Sequence, residues 1–309
     1  MYDLAIIGSG PAGMTAAIYG VRSSLSLVLL ESVAPGGQIV NTNEIQNYPG
    51  MGSINGAELA IKMYEHTQEL GVPFNYLTAE SVKHTGPAFE VECLEDRSHP
   101  LLARSVIVAT GTRPRMLGVK GEDRFKGNGL SWCAVCDGAA CRGQDVVVIG
   151  GGNSAIEEAL FLSEVARSVT VVVRKTVRAD RASLGRLKSN KNVSILLGWE
   201  VCAFEGSSSL EGVSIRESST REERVVSCQH AFEYVGLEPL TKCVEPLGVI
   251  DDAGYILADQ AMRTVVPGLF AAGDCVKKDL RQVVTACSDG ALAARSAAQW
   301  LASRERENN

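Results

Sequence analysis

Two cysteines separated by two residues are the strongest chemical feature of this sequence: Cys133-Ala134-Val135-Cys136, followed at once by Asp137. On a helical turn this spacing brings the sulfurs within disulfide reach. The first N–H groups of such a turn also favour a thiolate over the free thiol, whose unperturbed pKa is about 8.5. The pair therefore reads as a dithiol that opens and closes. Asp137 can give or take the proton that such chemistry moves, or serve only as a turn residue. The rival reading is half of a zinc site, which needs two more Cys or His. Cys141 alone falls short, and His66, His84, His99 and His230 show no paired spacing, so no metal is expected. Cys93, Cys202, Cys228, Cys243, Cys275 and Cys287 stand isolated, most of them among apolar or small residues, and read as small core side chains. An odd total of nine does not suit a secreted disulfide framework.

The elements around this pair read as two nucleotide-binding units. Tyr2 to Ile7 is an apolar, β-branched run suited to a buried parallel strand. Gly8-Ser9-Gly10-Pro11-Ala12-Gly13 follows, then a helical stretch from Met14 to Val21, then a strand from Leu25 to Leu30 that ends in Glu31. In this pattern the first glycine makes the tight turn, the second lets a pyrophosphate approach the backbone, and the third packs helix against strand. The phosphates sit at a helix N-terminus, where unpaired N–H groups and the dipole favour anions. Glu31, 18 residues after Gly13, is placed to accept from a ribose hydroxyl.

The pattern recurs. Asp145 to Ile149 reads as a strand, Gly150-Gly151-Gly152-Asn153-Ser154-Ala155 as the loop, and Ile156 to Glu164 as the helix. The next strand, Val169 to Val173, ends in Arg174-Lys175, with Arg178 and Arg181 close behind. A carboxylate there would accept from a free 2′-hydroxyl, whereas cations suit a 2′-phosphate, so NADPH is expected over NADH. The alternative is a solvated basic helix start. Two dinucleotide loops imply two dinucleotides, one a hydride donor and one a tightly held carrier. FAD working between NAD(P)H and the cysteine pair meets that division.

The whole set of motifs resembles the low-molecular-weight thioredoxin reductases from about Tyr2 to Leu301. The resemblance is carried by Gly8 to Gly13, Pro35-Gly36-Gly37-Gln38, Asn47-Tyr48-Pro49-Gly50, Ala109-Thr110-Gly111, Cys133 to Gly138 and Gly150 to Ala155. Further along it rests on Pro267 to Asp274, which includes Gly273, and on Arg281-Gln282-Val283. It implies an α/β fold of two Rossmann-like, three-layer (ββα) dinucleotide-binding domains, the second inserted into the first. The FAD domain would comprise residues 1–112 and 246–309, and the NAD(P)H domain residues 113–245; glycine, proline and loop composition place the hinges near Arg113-Pro114 and Val235-Gly236. Gly36-Gly37-Gln38 and Asn47 would lie along the FAD, Asp274 at its ribityl or phosphate region, and Gln282-Val283 near the flavin ring. Cys136 would face the flavin, Cys133 would attack the disulfide of thioredoxin or a similar small protein, and Asp137 would be the acid catalyst. The inserted domain would rotate between two arrangements, and the protein would be a homodimer.

One segment departs from the family pattern. After the second nucleotide strand the family carries His-Arg-Arg, three residues, then Arg. Here Val173-Arg174-Lys175-Thr176-Val177-Arg178 lacks the His, has Lys for the second Arg and is one spacer short. Lys cannot form the bidentate phosphate fork of Arg. The alternatives are a disulfide reductase fed by NADH, reduced ferredoxin or another donor, and a flavin-bound redox sensor without turnover.

The bulk numbers fit two soluble domains: 309 residues, 45% hydrophobic, 21% charged. A net charge of −6 argues against nucleic acid as partner. No apolar run approaches the roughly 18 residues of a membrane span. The opening Met1-Tyr2-Asp3 leads straight into a strand, without a signal-like core. A cytoplasmic location is expected.

Overall fold

The computed structural model describes residues 1–42 and 45–307. The described chain divides into two compact units, one comprising Met1–Asn41, Tyr48–Arg113 and Glu238–Asn309, the other Thr42–Asn47 and Pro114–Leu237.

The first unit is built on a seven-stranded sheet. Tyr2–Ile7 pairs in parallel with Leu27–Glu31 on one side and Leu101–Val108 on the other. Phe74–Tyr76 extends one edge in parallel. Beyond Leu101–Val108 the sheet turns antiparallel through Phe89–Cys93 and Ala79–His84, while Leu269–Ala271 pairs in parallel with residues 106–108.

Alternation along each strand sorts side chains to two faces. Leu4, Ile6, Leu27, Leu29 and Ile107 pack beneath the helices Pro11–Arg22 and Val283–Glu307, against Met14, Ala16, Ala293 and Ala297. Ala5, Ile7, Val28, Leu30, Val106 and Val108 face the other way, onto Val82, Val91, Val244, Val249 and Ile256. The two helices touch closely because residue 290 is glycine: a Cβ there would stand 2.1 Å from the Ala12 carbonyl oxygen.

The second unit repeats the scheme with a five-stranded parallel sheet in the order Val193–Leu197, Ser168–Val173, Asp145–Ile149, His230–Glu233, Leu130–Ser131. Val146, Val148, Val169 and Val171 pack onto Ile156, Ala159 and Leu162 of the helix Asn153–Ser163 and onto Leu187 of Arg181–Ser189. Val147, Ile149 and Val172 pack onto the antiparallel strands Trp199–Glu205 and Gly212–Glu217, through Trp199, Val201, Phe204, Val213 and Ile215. A third strand, Glu223–Ser227, completes this small sheet. Helices, parallel sheet and antiparallel sheet make the three layers expected of a ββα unit.

The elements match the sequence pattern with small shifts. Both loop-following helices start earlier than the apolar period indicates, at Pro11 and Asn153, and the second strand reaches through Glu31. Proline suits a first helical position because the N–H it lacks has no partner there. The return to the first unit falls at Leu237/Glu238 rather than at 245/246. The cause is local packing: the Thr241 hydroxyl donates to the Gly254 carbonyl, and Cys243 and Val244 enter the first unit's core.

Gly290→Ala should destabilise the protein by about 2 kcal/mol or more, since overpacking against backbone outweighs the helix propensity gained. Gly185→Ala is the control, because nothing lies within 4 Å of a Cβ on that exposed helical residue. It should stabilise by about 0.5–1 kcal/mol. Paired thermal melts read both changes.

Candidate active site

Cys133 and Cys136 are joined as a disulfide on a single helical turn, Ala134–Asp137, which runs on into a 3-10 turn, Gly138–Cys141. The turn is pressed onto the helix Asn153–Ser163: a Cβ on Gly138 would stand 2.6 Å from the Phe161 ring. Backbone donors here are committed to the protein itself. The Cys133 N–H donates to Ser131 Oγ at 3.2 Å and the Ala134 N–H to Tyr234 Oη at 2.7 Å. The Cys136 and Asp137 N–H groups donate to the Cys133 carbonyl at 3.2 and 3.1 Å. Four of the N–H groups expected to favour a thiolate thus have acceptors within the unit in the disulfide state. These amides hold the turn in shape.

Asp137 accepts from the Ser131 hydroxyl through Oδ2, which fixes its carboxyl beside the sulfur-bearing turn. Burial raises the Tyr234 phenol well above its ordinary range, with the charges of Glu158 and Asp137 adding to the effect, so it remains a neutral hydroxyl. Cys141 lies directly behind the pair but is wholly buried, and burial, with Asp137 adding, pushes its thiol up to about 12. It is a core residue, not a third redox partner. Among the described residues no group of three or more His, Cys, Asp or Glu is placed to hold a metal ion.

The second glycine loop lies in the same unit and is tied to the same residue. A Cβ on Gly150 would stand 2.5 Å from the Tyr234 carbonyl oxygen, and the Tyr234 N–H donates to Ile149. Tyr234 thus touches both the loop and the disulfide turn. The Arg178 N–H donates to the Gly151 carbonyl at 2.6 Å, and Asn153 Oδ1 accepts from the Asp180 N–H at 3.0 Å. The basic segment is so brought to the loop. Arg174, Lys175 and Arg178 are all exposed, and none of the three makes an ion pair among the described residues. Ser154 is exposed in the first turn of the helix.

In the first unit most of the sequence-predicted residues converge. Gly8 has φ +102° and would place a Cβ 2.5 Å from the Ala109 carbonyl oxygen and 3.1 Å from Thr110 Cα, while a Cβ on Gly13 would stand 1.8 Å from the Gly8 carbonyl oxygen. These two glycines are demanded by the fold. Gly10 is not: its φ is −73°, and the nearest atom to a Cβ is Gly37 Cα at 3.9 Å. Gly152 is the same case, with φ −88° and nothing within 4 Å. The fold leaves space beside Gly10 and Gly152 that a side chain would fill.

Glu31 turns back to this loop. Its Oε2 accepts from the Ser9 N–H and hydroxyl at 2.9 and 2.8 Å, and Oε1 from the Ser32 and Val33 N–H groups. Gly36 donates to the Ser9 carbonyl, which seats Gly37 against Gly10 with the exposed Gln38 next in the chain, and Gly273 abuts Ala12. Asp274 follows, its Oδ1 buried without a hydrogen-bond partner and 3.8 Å from Lys278 Nζ. Burial raises its pKa against the pull of Lys278 and Arg281. Arg281 reaches the Asp274 carbonyl and lies over the Tyr255 ring, just ahead of Gln282 and Val283, where the last helix begins. Gly111 accepts the Leu240 N–H. Asn47 falls with the second unit in the division of the chain.

Sequence reasoning missed Ser131 and Tyr234, which hold the disulfide turn. Ser131 was visible two residues before Cys133. Tyr234 was not, since the bond it makes spans 100 residues.

Residues 2–290 match the pyridine nucleotide-disulphide oxidoreductase family. The thioredoxin reductase of Bacillus subtilis is 41% identical over 303 residues, covering 97% of this chain and 95% of that one. That of Mycoplasma pneumoniae is 40% identical over 295 residues, covering 95% and 93%. The crystal structure of thioredoxin reductase from Streptococcus pyogenes matches with a TM-score of 0.90 and 43% identity over 98% of this chain and 99% of that one. With its disulfide turn and its two glycine loops, the chain belongs to the pyridine nucleotide-disulphide oxidoreductase family.

Proposed function

We propose that this protein is a thioredoxin-disulfide reductase that carries electrons from NADPH through FAD to the Cys133–Cys136 disulfide and on to thioredoxin or a similar small protein. The observation that carries this reading is a disulfide on a turn that shares Tyr234 with a dinucleotide loop of the same unit.

The residues present fit both cofactors. The space kept at Gly10 and Gly152 suits a pyrophosphate against each loop. Asp274 Oδ1, buried without a hydrogen bond and in only a long ion pair to Lys278, is an acceptor that a ribityl hydroxyl would suit. Gly8 to Gly13, Glu31, Gly37-Gln38, Ala109 to Gly111, Gly273-Asp274 and Arg281 to Val283 would hold the FAD. Gly150, Gly152, Asn153 and Ser154 would hold the nicotinamide dinucleotide, with Arg174, Lys175 and Arg178 on its 2′-phosphate. When bound, the flavin supplies two-electron transfer from reduced nicotinamide to the disulfide.

The protein's own chemistry follows from the turn. Two electrons break the Cys133–Cys136 bond, and Asp137, held by Ser131, is placed to supply the proton that one sulfur takes up. Cys133 as thiolate attacks one sulfur of the partner's disulfide, breaking that bond and forming a mixed disulfide. Cys136 then attacks Cys133 Sγ, which releases the partner's second thiolate and restores the resting disulfide. The disulfide and the nicotinamide loop belong to one unit and the flavin loop to the other, so they take turns by reorientation at the two crossings. A homodimer in the cytoplasm completes the proposal.

Three experiments test it. Gly10→Ala should strip flavin from the purified protein, read as the flavin-to-protein absorbance ratio, while leaving the melting temperature of the flavin-free protein unchanged. In stopped flow NADPH should reduce the flavin faster than NADH or reduced ferredoxin, and Arg178→Ala should weaken NADPH by about tenfold and leave NADH alone. Equal responses to the two nicotinamides would remove the assignment of the basic segment. Mass spectrometry after iodoacetamide at pH 7 should find Cys133 and Cys136 labelled only after reduction. Cys141, with its thiol pushed up to about 12, should stay unlabelled in both states.

A further inference from the structure

Immediately before Cys133, the Trp132 indole N–H donates to Glu233 Oε2 at 3.0 Å across 101 residues of sequence. Glu233 is 2% exposed, and the group that faces it is another buried carboxyl, Glu122, 3% exposed. Two carboxylates cannot meet in such a place with both charges present; one must hold a proton. The donors decide which. Glu122 accepts three backbone N–H groups, from Leu117 at 2.7 Å, Gly118 at 2.6 Å and Val119 at 3.2 Å. Glu233 Oε1 meets no N–H or hydroxyl donor. Glu233 thus lacks the donors that Glu122 has, and it is the carboxyl that holds the proton while accepting from the indole. Asp123 and Arg124 follow Glu122 on the same short helix, and the Lys126 ammonium lies 5.6 Å from the centre of the Trp132 ring.

Resting on the reductase reading above, we propose that Glu233 and Glu122 are positioning residues which share one proton to pin the Trp132 indole beside the attacking sulfur, where the protein disulfide substrate docks. The indole, one residue before Cys133, is packed in part against the unit's core and in part exposed, so its free edge offers a rigid apolar contact with little ordering left to do on binding. Its orientation holds only while the proton is present. Burial, with Glu122 adding, raises Glu233 to about 9. Above that pH two anions repel inside the unit and the acceptor geometry at the indole is lost. The folded state also holds this proton more tightly than the unfolded chain, so the contribution to stability is present at acid pH and is lost as pH rises through about 9.

The test compares the wild-type holoenzyme with Glu233→Gln, which can accept from the indole and donate to Glu122 at every pH, and with Glu233→Leu, which can do neither. Steady-state kinetics with oxidised thioredoxin are run from pH 7 to 10, with turnover of a small aromatic disulfide as the reference that needs no docking. At pH 7 the Leu variant should raise the KM for thioredoxin about tenfold, the effect of losing one anchoring aromatic, and the Gln variant should match wild type. Above pH 9 the wild-type KM should climb while that of the Gln variant stays flat. The melting temperature of the Gln variant should gain on wild type between pH 6 and 9. A wild-type KM in the Leu variant, or superimposable pH profiles for wild type and Gln, would overturn the proposal. If thioredoxin is not reduced at all, the reductase reading fails, and the melting profiles of wild type and Gln still decide whether the pair shares its proton.

Discussion

A disulfide that exchanges electrons must be held still while its covalent bond opens, and this protein meets that constraint with backbone amides. The Cys133, Ala134, Cys136 and Asp137 N–H groups all have acceptors within the same unit. The turn is anchored at its start by Ser131 and Tyr234 and pressed against Phe161 by the absence of a side chain at Gly138. Opening the bond therefore leaves the sulfurs on a framework with no reason to move. The same framework supplies the chemistry, because Ser131 that accepts from Cys133 also orients Asp137.

The second dependence is on glycine, for two different reasons. Gly8, Gly13 and Gly150 exist because another part of the chain occupies the place of a side chain, and any replacement collides with backbone. Gly10 and Gly152 face open space from ordinary φ values, so the fold itself does not ask for them. The proposed pyrophosphates would supply, from outside the chain, a reason for leaving those positions bare. Asp274 Oδ1, buried without a hydrogen bond, is the polar counterpart.

Much of this was legible in the sequence because it follows from periods and local spacing. Strands two residues in period and glycine loops ahead of helices announce themselves without tertiary knowledge, and the repeat of the unit is visible as a repeat. What stayed hidden depended on long-range packing. The return crossing falls beside the Val235-Gly236 hinge that composition marks, but not at the 245/246 bound, because Cys243 and Val244 of segment 238–245 find the first unit's core. Asn47 matched a motif yet groups with the other unit. Tyr234 and Glu233 are neighbours on the chain whose side chains serve Ala134 and Trp132, and neither role has a local signature.

The central claim is that electrons stored on a bound flavin reach the Cys133–Cys136 bond. Anaerobic reductive titration of the purified yellow protein measures this directly. The account predicts about four electrons per chain for wild type, two for the flavin and two for the disulfide, and about two for Cys136→Ser. Equal uptake of about two electrons by both proteins, or a chain that binds no flavin, would contradict it.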